Sequence, residues 1–176
     1  ADGVSVLTDK EDFGGSFADL KQIRDAIPQP VLCKDFVVDP YQVYEARSHG
    51  ADAILLMLSV LNDDSFRVCF AACEEVAMDA LVEVHDQPEL DRAIQLGARI
   101  IGINNRNLKD LKIDLRTSEA LIPRAPKEAV IISESGILNR DHVRRLRPLS
   151  DAFLVGTALL LKGQPRLAAR QLIFGR

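Results

Sequence analysis

Four polar residues stand where apolar runs stop. Lys34 follows Val31-Leu32-Cys33, Glu83 closes Ala80-Leu81-Val82, Asn104 closes Ile100-Ile101-Gly102-Ile103, and Glu134 closes Val130-Ile131-Ile132-Ser133. Desolvation disfavours a charged side chain, so an ionisable group at the end of a buried run has a partner or a task. A lysine and a glutamate on separate strand tips can serve as general acid and general base. The same two residues also fit a structural ion pair bridging strand ends.

Further along, Asn104-Asn105-Arg106 offers amide and guanidinium donors suited to an anionic or hydroxylated ligand, or else forms a turn with a solvated arginine. Ser133-Glu134-Ser135-Gly136 and Val155-Gly156-Thr157 end the last two apolar runs. Small residues there let backbone amides approach a phosphate, and plain turns are the alternative. His49, His85 and His142 lack metal-ligand spacing, and no Cys-x-x-Cys is present. Cys69 and Cys73 share a helical face with Phe66 and Phe70, which reads as core packing. Asp9, Glu11 and Asp12 read as a solvated acidic loop.

The elements that must position these residues alternate regularly. Strand candidates begin near residues 4, 31, 53, 80, 100, 129 and 152, a spacing that fits one strand, one helix and two short loops. Their continuous apolar composition suits strands covered on both faces. Helices are predicted over 16–26, 41–48, 63–77, 87–96, 116–122, 139–146 and 165–174. Asp39-Pro40 reads as an N-cap with proline at the first helical position. His49-Gly50-Ala51-Asp52-Ala53 and Leu96-Gly97-Ala98-Arg99-Ile100 repeat one phrase, a helix end with a glycine cap before a buried strand. The predicted fold class is α/β, of the (β/α)8 TIM barrel family. Seven of eight βα units are visible, and residues 1–176 form a single, N-terminally incomplete barrel domain.

Composition excludes several classes. The chain has 176 residues, 47% hydrophobic and 27% charged, with a net charge of −4 and both signs interleaved. No basic stripe points to nucleic acid, and no apolar run reaches the length of a membrane span. Cys33, Cys69 and Cys73 are odd in number and lie in apolar surroundings, which fits a reducing, cytoplasmic compartment.

The chain resembles the indole-3-glycerol-phosphate synthase family. The resemblance is carried by Ser5-Val6-Leu7-Thr8-Asp9, Phe13-Gly14-Gly15-Ser16, Leu32-Cys33-Lys34-Asp35-Phe36, Asp39-Pro40-Tyr41-Gln42, Leu81-Val82-Glu83-Val84, Gly102-Ile103-Asn104-Asn105-Arg106, Ser133-Glu134-Ser135-Gly136 and Leu154-Val155-Gly156-Thr157. It implies ring closure, decarboxylation and dehydration of 1-(2-carboxyphenylamino)-1-deoxyribulose 5-phosphate, with no metal or organic cofactor. By the same resemblance Lys34 is the general acid, Glu83 the acid/base of the dehydration, and Asn104 part of the catalytic set. Arg106, Glu134 and Ser135 fall on substrate contacts, and Gly136, Gly156 and Thr157 on the phosphate cradle. Phe13, Phe36, Leu55 and Leu111 resemble the apolar wall around the aromatic ring.

The family's first strand carries a Glu-x-Lys pair and a Ser-Pro-Ser phrase that nothing here matches. The expectation is therefore a chain without the N-terminal helix and first βα unit, with little or no activity alone. Its partners are expected to be a phosphorylated small molecule and a missing N-terminal segment, a fused phosphoribosylanthranilate isomerase domain, or a second copy pairing through exposed strand edges. Two other readings stay open: a phosphosugar isomerase or aldolase-like barrel with Lys34 as Schiff-base nucleophile, and a non-catalytic phosphate-binding remnant.

Overall fold

The computed structural model describes residues 1–161 and 163–175. They group into two compact units, Ala1–Glu83 with Gln95–Ile100, and Val84–Ile94 with Ile101–Arg176.

The first unit alternates β1 (Val4–Leu7), α1 (Phe17–Ala26), β2 (Val31–Lys34), α2 (Pro40–Ser48), β3 (Ala53–Met57), α3 (Asp63–Glu75) and β4 (Asp79–Val84, its last residue assigned to the second unit). Each helix starts at a residue able to accept from an orphan amide. Ser16 accepts from Asp19 N, Asn62 accepts from Ser65 N, and Asp39 forms a capping box with Gln42 ahead of Pro40. The predicted starts at Ser16 and Tyr41 thus shift by one residue, the serine being the cap and Pro40 the first helical position.

The strands run parallel in chain order, with Leu7 paired to Lys34, Cys33 to Ile54, Leu55 to Leu81 and Met57 to Glu83. Side chains alternate across a strand, so this register sorts them into two faces. Leu7, Lys34, Leu55, Met57, Leu81 and Glu83 share one. Val6, Cys33, Ile54, Leu56 and Val82 take the other and are buried, with α1 packed on β1 and β2 and α3 on β3 and α2. Phe66, Cys69 and Cys73 of α3 are buried too. All three thiols are free, and burial pushes Cys33 up to about 11 and Cys73 up to about 12. The strand starts are clamped as well: the Asp52 carboxylate accepts from Val31 N at 2.8 Å and from Arg24 Nη1 at 2.7 Å.

The second unit holds α4 (Gln87–Gln95), β5 (Ile100–Asn104), α5 (Arg116–Leu121) with a 3-10 turn at Ile122–Arg124, β6 (Val130–Glu134), α6 (Arg140–Leu146), β7 (Ala152–Leu154), α7 (Thr157–Leu160) and α8 (Pro165–Phe174). Ser133 pairs with Phe153 and Glu134 with Leu154, again in parallel. Leu115, Ile137, Leu146 and Leu172 form a buried cluster, covered by Val143, Phe153, Val155, Ala158 and Leu159. Asp151 repeats the clamp of Asp52, accepting from Ile131 N at 2.8 Å. The short α7 is absent from the sequence expectation, because four residues after a glycine carry too little periodicity to announce a helix. Among the described residues no helix is long and apolar enough to cross a membrane.

Loop 8–16 folds back so tightly that a Cβ on Gly15 would lie 2.1 Å from the Leu7 carbonyl oxygen. Backbone cannot swing aside as a side chain can. Gly15→Ala is therefore expected to destabilise the chain by about 1–3 kcal/mol in urea unfolding.

Candidate functional site

In the first unit the register brings Lys34 and Glu83 together. Extending the β2–β3 pairing by one residue sets Lys34 level with Leu55, which pairs with Leu81, two residues short of Glu83 on the same face. The long lysine side chain crosses that gap, and its Nζ lies 3.3 Å from Glu83 Oε2. Glu83 is 1% exposed, whereas the lysine side chain keeps a quarter of its surface in solvent. A buried carboxylate facing the ammonium of a partly exposed lysine is an arrangement that can pass protons to a ligand at the open side.

The loops around Lys34 are fixed by hydrogen bonds. Thr8 donates from Oγ1 to Asp35 Oδ2 at 2.6 Å, and Phe36 N donates to Asp35 Oδ1 at 2.8 Å. Thr8 N donates to the Lys34 carbonyl at 3.2 Å. Gln42 reaches back from α2, its Nε2 donating to the Phe36 carbonyl at 3.0 Å. Phe36 then stacks on Phe13, with ring centroids 6.0 Å apart. Phe13 is itself 55% exposed, on a loop where Asp9 Oδ1 accepts from Asp12 N and Phe13 N. Leu55 is buried in β3.

In the second unit Asn105 is the organising residue. Its Nδ2 lies 3.1 Å from Ser133 Oγ, 2.9 Å from the Glu134 carbonyl and 3.1 Å from the Ser135 carbonyl, while Oδ1 accepts from Ser118 N at 3.1 Å. Ser118 and Ser133 hydroxyls meet at 2.8 Å, both fully buried. The amide of Asn105 is thus committed to the frame, where the sequence pattern had offered it as a ligand donor. Asn104 Oδ1 accepts from Arg106 N at 3.0 Å. Arg106 opens a hairpin-like loop, bridged to Ile113, and its Nη1 donates to the Leu111 carbonyl at 3.3 Å. Leu111 sits at φ 59 and is 62% exposed. Glu134 is 1% exposed at the tip of β6.

Beyond Glu134 the chain turns through Ser135 at φ 62 and Gly136 at φ 80. The Gly136 carbonyl accepts from His142 Nδ1 at 2.8 Å. Gly136 and Gly156 each lie two residues past the paired positions Glu134 and Leu154, so their loops leave neighbouring strand ends. Gly156 and Thr157 are exposed, Gly156 being the residue before α7. Among the described residues no group of three His, Cys, Asp or Glu side chains could hold a metal ion. Thr8, Asp35, Gln42, Ser118 and His142 were not among the predicted site residues. Only Ser133, a hydroxyl inside an apolar strand, carries a signal readable beforehand.

Asn105→Ala would strand the Ser118 amide and remove the buried donor shared by Ser133 Oγ and the Glu134 and Ser135 carbonyls, leaving the two serine hydroxyls only each other. Each unsatisfied buried group costs about 1–3 kcal/mol, so this substitution is expected to lower the urea midpoint more than Gly15→Ala does.

The model of the family described as indole-3-glycerol phosphate synthase matches residues 1–172. Among curated proteins, the "Tryptophan biosynthesis protein TrpCF" of Vibrio cholerae is 50% identical over 175 residues, 99% of this chain and 37% of that protein. The protein of the same description from Corynebacterium glutamicum is 48% identical, with the same shares covered. The chain thus spans little more than a third of the length of these curated relatives. Among solved structures, 3-hexulose-6-phosphate synthase from Salmonella typhimurium superposes with a TM-score of 0.80 at 16% identity, covering 96% of this chain and 83% of that one. For 3-keto-L-gulonate-6-phosphate decarboxylase from Vibrio cholerae the TM-score is 0.74 at 14% identity, with 96% and 82% covered. At such identities the likeness speaks for the fold alone. With the family match it gives the fold class as α/β, of the (β/α)8 barrel family, with seven βα units among the described residues.

Proposed function

The chain belongs to the indole-3-glycerol phosphate synthase family, and from that premise we propose that it carries the acid–base and phosphate-binding residues of a carboxy-lyase. The reaction converts 1-(2-carboxyphenylamino)-1-deoxyribulose 5-phosphate to indole-3-glycerol phosphate in tryptophan biosynthesis. The observation that carries this reading is the Lys34–Glu83 pair, the ammonium of a partly exposed lysine held 3.3 Å from a buried carboxylate.

In the proposed sequence the Lys34 ammonium donates a proton to the substrate's ketone oxygen as the ring carbon bearing the carboxylate attacks the carbonyl carbon. A carbon–carbon bond and a hydroxyl form. Breaking the bond to the carboxylate releases CO₂ and restores the aromatic ring. Glu83 then serves as acid/base while the hydroxyl leaves as water and a ring proton is lost. These steps redistribute protons without net oxidation. An ammonium beside a carboxylate is a proton donor, which favours this role over that of a Schiff-base amine nucleophile. Phe13, Phe36, Leu55 and Leu111 are assigned to the aromatic ring, and Asn104, Arg106, Glu134 and Ser135 to the polar substituents.

For the phosphate, the proposal assigns Gly136, Gly156 and Thr157. Their amides meet no acceptor among the described residues. The two glycines differ in what demands them. At Gly136 the left-handed backbone requires glycine, and a Cβ would sit 2.5 Å from Ile113 Cγ2. A Cβ at Gly156 meets nothing within 4 Å, so a ligand's approach is what would call for its absence. Gly156→Ala is accordingly expected to leave stability within about 0.5 kcal/mol of the parent while weakening inorganic phosphate binding in an NMR titration. Unchanged phosphate affinity would remove Gly156 from the cradle.

The activity is tested in a chimera in which this chain replaces the 175 residues it matches in the Vibrio cholerae relative. The chimera is expected to form indole-3-glycerol phosphate. Lys34→Ala should lower its kcat by about 10²–10⁴-fold, with little change in KM. Near-normal turnover with a raised KM would make Lys34 a binding residue. An inactive chimera that binds no substrate would overturn the synthase reading itself.

A further inference from the structure

The turn after β6 is costly by itself. A non-glycine residue in the left-handed region loses about 1–2 kcal/mol, and Ser135 at φ 62 is followed at once by Gly136 at φ 80. Such a turn persists where surrounding groups dictate it. Asn105 Nδ2 holds the Ser135 carbonyl at 3.1 Å, and His142 Nδ1 holds the Gly136 carbonyl at 2.8 Å. Nδ1 faces the Gly136 carbonyl at 2.8 Å and Leu138 N at 3.4 Å; a carbonyl oxygen only accepts, so the much shorter contact puts the proton on Nδ1. His142 is the third residue of α6, and its amide is bound by Asn139 Oδ1 at 3.0 Å. The ring therefore reaches back to the loop from a capped helix start.

The first unit contains the same device built from another residue. Gln42 is the third residue of α2, after the N-cap Asp39, and its Nε2 donates to the Phe36 carbonyl at 3.0 Å. Phe36 lies two residues past the end of β2, as Gly136 lies two past the end of β6. In both loops a side chain one helical turn downstream grips the second carbonyl after the strand. Two residue types meeting the same need mark the contact as a tether.

We propose that His142 is a positioning residue for anion binding: by tethering the Gly136 carbonyl it fixes the Gly136–Ile137 peptide plane, and together with Asn105 on the Ser135 carbonyl, which shares its plane with the Gly136 amide, it locks the turn that presents that amide to a phosphate group. The assignment rests on the reading of that loop as part of the phosphate cradle. It adds a residue that touches no ligand, and it predicts that glutamine can replace it.

The test compares the parent chain with His142→Ala and His142→Gln by ¹⁵N relaxation without ligand and by titration with inorganic phosphate. The Gly136 and Ile137 amides are expected to be ordered in the parent, with an order parameter of about 0.85, and to fall below about 0.6 in His142→Ala. Phosphate affinity should drop by about 10-fold in that variant, the scale of one lost hydrogen bond. His142→Gln should restore both readouts, which a role in packing alone would not produce. If His142→Ala leaves both the order parameter and the phosphate affinity unchanged, the tether is overturned. If the parent binds no phosphate, the cradle reading falls, and the positioning role with it, whatever the order parameters show.

Discussion

The structure turns on one constraint: a polar group at the end of a buried strand must find its partners where water is scarce. Glu83 and Glu134 are both almost wholly buried, and so are Asn104 and Asn105. Burying a carboxylate or an amide without compensation costs several kcal/mol. Glu83 meets Lys34 from two strands away, Asn104 accepts from the loop that follows, and Asn105 bonds to the neighbouring strand and the next helix. The Lys34–Glu83 pair is one answer to this demand, and the Asn105–Ser118–Ser133 network is another. Loop conformations, helix caps and the placement of aromatic side chains follow from how those partners are brought in.

Each unit solves the same problems with different residues. Before a strand, an aspartate pins an amide at the start of the strand that precedes it, Asp52 on the first residue Val31 and Asp151 on the second residue Ile131. At a helix start, the N-cap accepts from the first turn, Asp39 in one case and Asn139 in the other. These are local contacts between groups brought near by a βα unit's own length. They recur because the unit recurs, and they do not depend on which reaction the strand tips serve.

The order of strands and helices was legible in the sequence because it depends on apolar periodicity and on caps, both local. The Lys34–Glu83 pair was legible for a related reason: each residue ends an apolar run, and parallel strands carry such ends to the same side. What escaped was set by register and by loop geometry. Nothing local distinguishes Asn105 from Asn104, yet one holds the frame and its neighbour faces the other way. Thr8, Asp35, Gln42 and His142 act through contacts with carbonyls and side chains whose positions exist only once the loops have closed. Helix α7 went unseen because four residues are too few to show a period. Leu111 is an apolar residue on an exposed loop with left-handed backbone, a setting that composition does not reveal.

Alternation along β6 separates two jobs within adjacent residues. Ser133 points to α5 and locks the scaffold, and Glu134, one position on, occupies the opposite face. The Asn104–Asn105 doublet divides in the same way. A substitution at Glu134 or Asn104 therefore leaves the side-chain contacts that Ser133 and Asn105 make to the frame in place. Such modularity lets one face change its chemistry while the hydrogen-bonded frame on the other stays intact.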